Sequence, residues 1–157
     1  MSNITFSVEN YNTLLNDGAS LFKGHWEEIA MYKGSRPLNI NHAGFFQAES
    51  QGKLAVFTVR SDNNLVGYAV FTFGMSTHYS IPVTSNDAFY LHPQFRKGWT
   101  AVKFIKYCLK MLKQSKAKQI IWRTKSYQSF GPILERYGMR EDDVCYSMML
   151  DGENDNG

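Results

Sequence analysis

Cysteine is scarce in this chain, with two thiols in 157 residues, too few to staple a small fold with disulfides. Cys108 falls in a helical pattern and Cys145 in a strand pattern, and neither has a Cys or His at metal-ligand spacing. Both are expected to be buried thiols, and no metal site is expected. No apolar run approaches the ~18 residues that a membrane span requires, so no membrane partner is expected. Met1-Ser2-Asn3-Ile4-Thr5 has neither a basic leader nor an apolar stretch of signal-peptide type, and a cytoplasmic location is the expectation. Repeats, low-complexity tracts and long linkers are all missing. One domain is therefore expected over residues 1–150, with 151–157 an acidic, disordered tail.

Aromatic residues are abundant. They make up 15% of the chain, with 11 Phe and 9 Tyr, more than a minimal core needs, so some are expected to line a ligand cleft. Formal net charge is +3, and the last seven residues hold three acids and no base, which leaves the preceding body at +6. That excess suits a polyanionic ligand such as a nucleotide cofactor. It is too small to argue for nucleic acid by itself.

Hydrophobic periodicity gives the order β-α-α-β-β-β-α-β-α-β. Residues 4–10 alternate as a strand. From Thr13 to Tyr32 apolar residues recur at helical spacing, with Gly18 and Gly24 pointing to two shorter helices, and a further short helix fits 41–50 before Gly52. Leu54–Arg60 and Leu65–Phe73 are strands joined by the turn cluster Ser61-Asp62-Asn63-Asn64. A looser stretch from Gly74 to Ser85 leads to a strand at Asp87–His92, stopped by Pro93. Ala101–Lys113 is a strongly amphipathic helix, apolar at Ala101, Phe104, Ile105, Cys108, Met111 and Leu112, with lysines opposite. Gln119–Arg123 is a strand, Ser129–Tyr137 a helix closed by Gly138, and Val144–Leu150 the last strand. An antiparallel run followed by a right-handed strand–helix–strand crossover predicts an α+β fold: a mostly antiparallel mixed sheet with helices on both faces.

The chemistry concentrates in Phe89-Tyr90-Leu91-His92-Pro93-Gln94-Phe95-Arg96-Lys97-Gly98-Trp99-Thr100-Ala101. A strand ends at a proline, a basic turn follows, and a helix begins at once. The first turn of a helix presents unpaired N–H groups and the positive end of its dipole, and Gly98 lets a phosphate approach the backbone. Arg96 and Lys97 add charge there. The plainer alternative is a strand–helix turn whose basic residues are simply solvated.

This turn and the order of elements resemble the Gcn5-related N-acetyltransferase (GNAT) family, whose signature is a strand, then Arg/Gln-x-x-Gly-x-Gly/Ala, then a helix. Phe130-Gly131-Pro132-Ile133-Leu134-Glu135-Arg136-Tyr137-Gly138-Met139 resembles the family's late helix and its closing Gly-Phe. The fit of elements covers roughly residues 4–150. The resemblance implies a sheet of about six to seven strands and acetyl-CoA as cofactor. Leu91 and His92, at the end of the strand, would pair with the pantetheine arm. Arg96, Lys97, Gly98, Trp99, Thr100 and Ala101 would hold the pyrophosphate, and Lys103, one turn into the helix, would reach a phosphate. Two departures stand out. The turn is one residue short before its glycine, which implies fewer amides facing the phosphates. Leu134 stands where many members carry the tyrosine that protonates the departing thiolate, and Tyr137 is on a different helix face, where packing is its expected role.

A thiol of pKa ~8.5 leaves without a proton donor, but an amine acceptor at ~10.4 must lose a proton before it attacks. Candidate bases are Asp87, Glu28 and His78, with His25, Tyr79 and Tyr90 as acceptor contacts. The segments around His25, His78 and Asp87 resemble a phage-type branch of the family. Each has a plainer reading: Glu27 and Glu28 as helix surface, Asp87 as a turn cap, His78 as a surface histidine. The stripe of Lys103, Lys106, Lys110 and Lys113 is that of a solvated helix face. The expected activity is transfer of an acetyl group to a primary amine by direct attack in a ternary complex, with small polyamines or lysine-like groups favoured as acceptors. A homodimer is compatible with this reading. The rivals are a non-catalytic module that keeps the fold, and a modifier of nucleic acid or of a host protein.

Overall fold

Period-two alternation builds the sheet, as the sequence predicts, and a computed structural model describes residues 2–151 of the chain. The tail beyond Asp151, expected to be disordered, lies outside the described residues. Strands β1 (Ile4–Glu9), β2 (Leu54–Ser61), β3 (Asn64–Met75) and β4 (Pro82–Leu91) run antiparallel in sequence order. Strand β5 (Gln119–Ile121) joins β4 in parallel. The β2–β3 turn places Asp62 and Asn63 at φ 49° and 69°. Positive φ at both central residues gives a two-residue hairpin the twist of its strands, and Asn and Asp tolerate it.

Alternate residues of each strand face two different cores. Helices α1 (Tyr11–Ile29) and α2 (His42–Ser50) cover one side of the sheet, where Tyr11, Leu14, Leu21 and Phe22 bury against Val56, Tyr68, Val70 and Tyr90. Helices α3 (Thr100–Lys113) and α4 (Gly131–Arg136) cover the other, packing Phe104, Ile105, Leu112 and Leu134 on Phe57, Val59, Phe71 and Leu91. Each such side chain contributes about 2 kcal/mol through removal from water. The apolar stripe of α3 is thereby absorbed, and its lysines face outward.

Three expectations are corrected. Gly18 and Gly24 do not divide α1, because both are positions of close approach. A Cβ at Gly18 would stand 3.1 Å from the Phe22 ring, and one at Gly24 would stand 3.1 Å from the Tyr90 hydroxyl. Half of the loose stretch 74–85 is strand, since β3 runs to Met75 and pairs there with Pro82, a first-residue position where proline is tolerated. Among the described residues the sheet has five strands, not six or seven, because Val144–Leu150 forms no strand. Tyr146 is 92% exposed and Leu150 91%, and the Tyr32 hydroxyl donates to the Ser147 carbonyl at 3.3 Å. Alternation is only a local preference; a strand also needs an edge to pair with, and β5 offers three residues. Cys145, on this segment, is exposed rather than buried, whereas Cys108 is fully buried as expected. Among the described residues no helix is long and apolar enough to cross a membrane.

Arg60 ties β2 to β1 and α1. Its Nε and Nη2 donate to the two oxygens of Glu9 at 2.8 and 3.0 Å, and Nη2 also donates to Asp17 at 2.7 Å. Arg60→Met leaves the largely buried Glu9 carboxylate unpaired and is expected to cost about 2 kcal/mol of stability, measured by urea denaturation.

Candidate functional site

Strand β4 is irregular on both edges at the same place. Against β3, Val70 pairs with Ala88 and Phe71 with Asn86, leaving Asp87 unopposed in a bulge. Against β5, only Val83, Thr84 and Ser85 are paired. The strands part there, and the Asn86 side chain closes the gap: it accepts from the Arg123 amide at 2.6 Å and donates to the Arg123 carbonyl at 3.0 Å. From Asp87 to Leu91 the β5-side edge of β4 has no strand neighbour among the described residues.

The bulge turns Asp87 onto the α1 side, together with Ala88. Both line a cavity of about 250 Å³ between α1, α2 and the sheet, walled by Tyr11, Phe22, Trp26, Phe45 and Tyr68. Asp87 is exposed as a residue, yet the surrounding apolar wall partly desolvates its carboxyl and raises it above its ordinary range. Burial, helped by the charge of Asp87, pushes the Tyr11 phenol up to about 12 and Tyr68 higher still. Both phenols stay protonated. The Tyr11 hydroxyl meets His42 Nδ1 at 2.8 Å.

A column of stacked groups links this cavity to the β4–α3 turn. His25 Nδ1 meets the Tyr68 hydroxyl at 2.7 Å, and the imidazole stacks on Tyr90 with ring centroids 4.8 Å apart. The Arg96 guanidinium lies 5.4 Å over the same Tyr90 ring. Arg96 then donates from both Nη atoms to Glu28 at 2.7 Å and from Nε to the Leu91 carbonyl at 2.7 Å. Desolvation dominates at His25 and pushes its pKa down to about 4, the charge of Glu28 opposing only in part, so the imidazole is neutral at neutral pH. Glu28 is held below the usual carboxylate range, mainly by its bonds to Arg96.

The turn itself presents backbone donors. A 3-10 turn at Pro93–Phe95, capped by His92 Nδ1 accepting from Gln94 N, leads into α3. The first α3 amide bonded to a backbone carbonyl is Lys103, to Trp99 at 2.8 Å, and among the described residues the amides of 97–102 have no backbone acceptor. Gly98 sits at φ +76°, with open space where a Cβ would stand. Lys97 and Lys103 flank the turn. Trp99 is 68% exposed, so it does not fill the turn.

The structure thus brings Asp87, His25, Tyr90, Glu28 and Arg96 into one continuous set and leaves other candidates outside. His78 and Tyr79 occupy an exposed turn between β3 and β4. Asp87 is five residues further along β4 than Pro82, roughly 15 Å at the rise of a strand, so neither residue meets the carboxylate. Glu28 is fully engaged with Arg96, which removes it as a free base and draws the Arg96 guanidinium away from a phosphate on the turn. Tyr90 supports His25 from beneath and does not line the cavity. Leu134 is 5% exposed in the α3-side core, with Tyr137 packed against it. Sequence reasoning expected aromatics in a cleft without naming Tyr11, Trp26 and Tyr68, whose alternation and helical spacing look the same for core and cavity wall.

Because Glu28 titrates lower in the folded chain than unfolded, its pair with Arg96 stabilises above the ordinary glutamate value and is lost as pH falls through the depressed one. Glu28→Gln is therefore expected to cost about 1 kcal/mol at neutral pH, a value discounted for Arg96 being 38% exposed. Thermal melts from pH 7 to pH 3 should show the two proteins converging.

No family model and no curated protein sequence matches this chain. Solved structures do. A ribosomal-protein-alanine N-acetyltransferase from Brucella melitensis biovar Abortus 2308 superposes with a TM-score of 0.68 at 14% identity, over 94% of this chain and 99% of that one. An aminoglycoside N-acetyltransferase, AAC(6')-Iy, solved in complex with CoA gives 0.69 at 17% identity, over 96% and 97%. A transcriptional regulator from Bacillus halodurans C-125 gives 0.73 at 13% identity, over 94% and 100%. At such identities the likeness is one of fold. This chain shares its mixed-sheet fold with these proteins, two of which are N-acetyltransferases.

Proposed function

We propose that residues 1–150 form one acyltransferase domain that moves an acetyl group from acetyl-CoA to a primary amine by direct attack in a ternary complex. The observation that supports this most is the arrangement along β4. A cavity-lining carboxylate at the bulge, a strand edge without a β5 partner and an amide-lined turn follow one another within a few residues of Asp87. The turn fits a diphosphate: its amides lack acceptors, Gly98 leaves the approach open, and Lys97 and Lys103 supply charge in place of the engaged Arg96. The stretch of β4 without a β5 partner could receive an amide-bearing arm as an added strand. At its end the Leu91 carbonyl accepts from Arg96 Nε and the His92 amide donates to the Val66 carbonyl, so an arm pairing there would share or displace those bonds. The neighbour solved with CoA has this fold, which makes the same coenzyme the natural donor to test. Bound there, it would supply the activated acyl thioester.

The chain's own residues then have distinct tasks. Asp87 attracts the acceptor's ammonium and takes a proton from it. Its raised pKa brings it nearer the working range of a base than an aspartate of ordinary pKa. Neutral His25, oriented by Tyr68 and Tyr90, adds a polar contact without adding positive charge. No side chain replaces the family's thiolate-protonating tyrosine at Leu134, and the thiolate leaves as a weak base or takes its proton from water.

Purified protein with acetyl-CoA and a panel of primary amines should release free thiol above the hydrolysis blank. Asp87→Asn should lower kcat by about 10²-fold or more and abolish the acid limb of the rate profile, while leaving CoA-induced thermal stabilisation unchanged. The same variant has a stability signature. The folded chain holds the Asp87 proton more tightly than the unfolded chain, so the site destabilises increasingly as pH rises from the ordinary aspartate value through the raised one. Asp87→Asn should melt at or above the parent temperature at pH 7 and lose that advantage in acid.

A second reading, a non-catalytic module, draws on the engagement of Arg96 by Glu28 and on Leu134 filling the core. It predicts no thiol release and no thermal shift with CoA or acetyl-CoA far above micromolar concentrations.

A further inference from the structure

We infer that the acceptor is a monoamine joined by a short arm to an aromatic or similarly compact apolar body, rather than a polyamine or an aminosugar. The inference names the acceptor of the reaction proposed above and so rests on that reading.

Three features of the cavity lead to it. The first is charge. Among the described lining residues Asp87 is the sole carboxylate, and the sole cation is Lys125, at the mouth. The nearby acids are committed elsewhere: Glu28 to Arg96, and Glu49 to the Tyr11 amide at 2.7 Å. One ammonium is therefore neutralised, and a second would face an apolar wall or Lys125, where an uncompensated charge is strongly disfavoured. The neutral His25 offers a hydrogen bond but no countercharge.

The second feature is the wall. Phe22, Trp26, Ile29, Phe45 and Val70 present carbon surface, with Trp26 and Tyr68 able to place ring faces near a cation. Hydroxyl-rich or repeatedly charged acceptors would lose water here without regaining hydrogen bonds. The third feature is size. An apolar cavity of about 150 Å³ already accepts benzene, and this one, at about 250 Å³, has room for a ring and a two-carbon arm ending at Asp87. It lies between α1, α2 and the sheet and opens to solvent beside Asp87, so a small amine can enter it directly.

The test uses the full chain, 2-phenylethylamine, spermidine and an aminosugar such as kanamycin, with two readouts. Calorimetry on the protein alone measures amine binding; thiol release with acetyl-CoA measures turnover. The expected result is binding of 2-phenylethylamine at least about tenfold tighter than the other two, roughly 1.4 kcal/mol, and the same preference in kcat/KM. Asp87→Asn should weaken that binding by at least about tenfold, and Trp26→Ala should remove most of the preference. Tighter binding or faster turnover of spermidine or kanamycin would overturn the inference while leaving acyl transfer intact. Equal affinities, or no binding of 2-phenylethylamine, would overturn it outright. Selective binding of 2-phenylethylamine with no thiol release from any amine would uphold the ligand class and defeat acyl transfer instead.

Discussion

The structure turns on the point in β4 where regular pairing fails on both edges. Next to Asn86 the strand has one residue too many for β3 and loses β5 altogether. Strict alternation would put Asp87 on the α3 side, because Ala88 and Tyr90 face α1 while Phe89 and Leu91 face α3. The extra residue cancels that alternation and brings a carboxylate into an apolar cavity. The loss of β5 leaves backbone groups unpaired along the stretch that ends at the turn. Neither defect would survive unless its polar groups were answered, and the paired hydrogen bonds from Asn86 to Arg123 answer the first unpaired position.

Around that defect the charges are arranged by burial more than by proximity. His25, Tyr11, Tyr68 and Asp87 all shift toward their neutral forms, with desolvation as the leading cause in each. Glu28 and Arg96 behave oppositely: each stabilises the other's charge, and the pair fastens the last turn of α1 to the turn before α3. The cavity is therefore a low-charge space beside a strongly charged clasp. This division is why the Asp87 carboxyl is raised and that of Glu28 lowered.

Leu134 has a structural role. Leu134 fills the α3-side core, and the helix ends with Gly138 N donating to the Glu135 carbonyl and Met139 N to that of Leu134. The α4 helix is thus held by packing and by its glycine stop.

By itself the sequence determined the elements whose signals are local: the period-two strands, the amphipathic stripe of α3, the Asp62-Asn63 hairpin and the basic turn opening a helix. In each, neighbouring residues set the backbone and the burial pattern directly, which is also why the family resemblance could be seen in the turn. Tertiary structure alone decided the rest. The bulge at Asp87 depends on register with β3, the engagement of Arg96 on a glutamate 68 residues away, and the neutrality of His25 on burial between two tyrosines from different strands. Val144–Leu150 has a strand's alternation and no edge to complete it. These outcomes arise from which surfaces meet and how much water they exclude, and no window of adjacent residues contains that information.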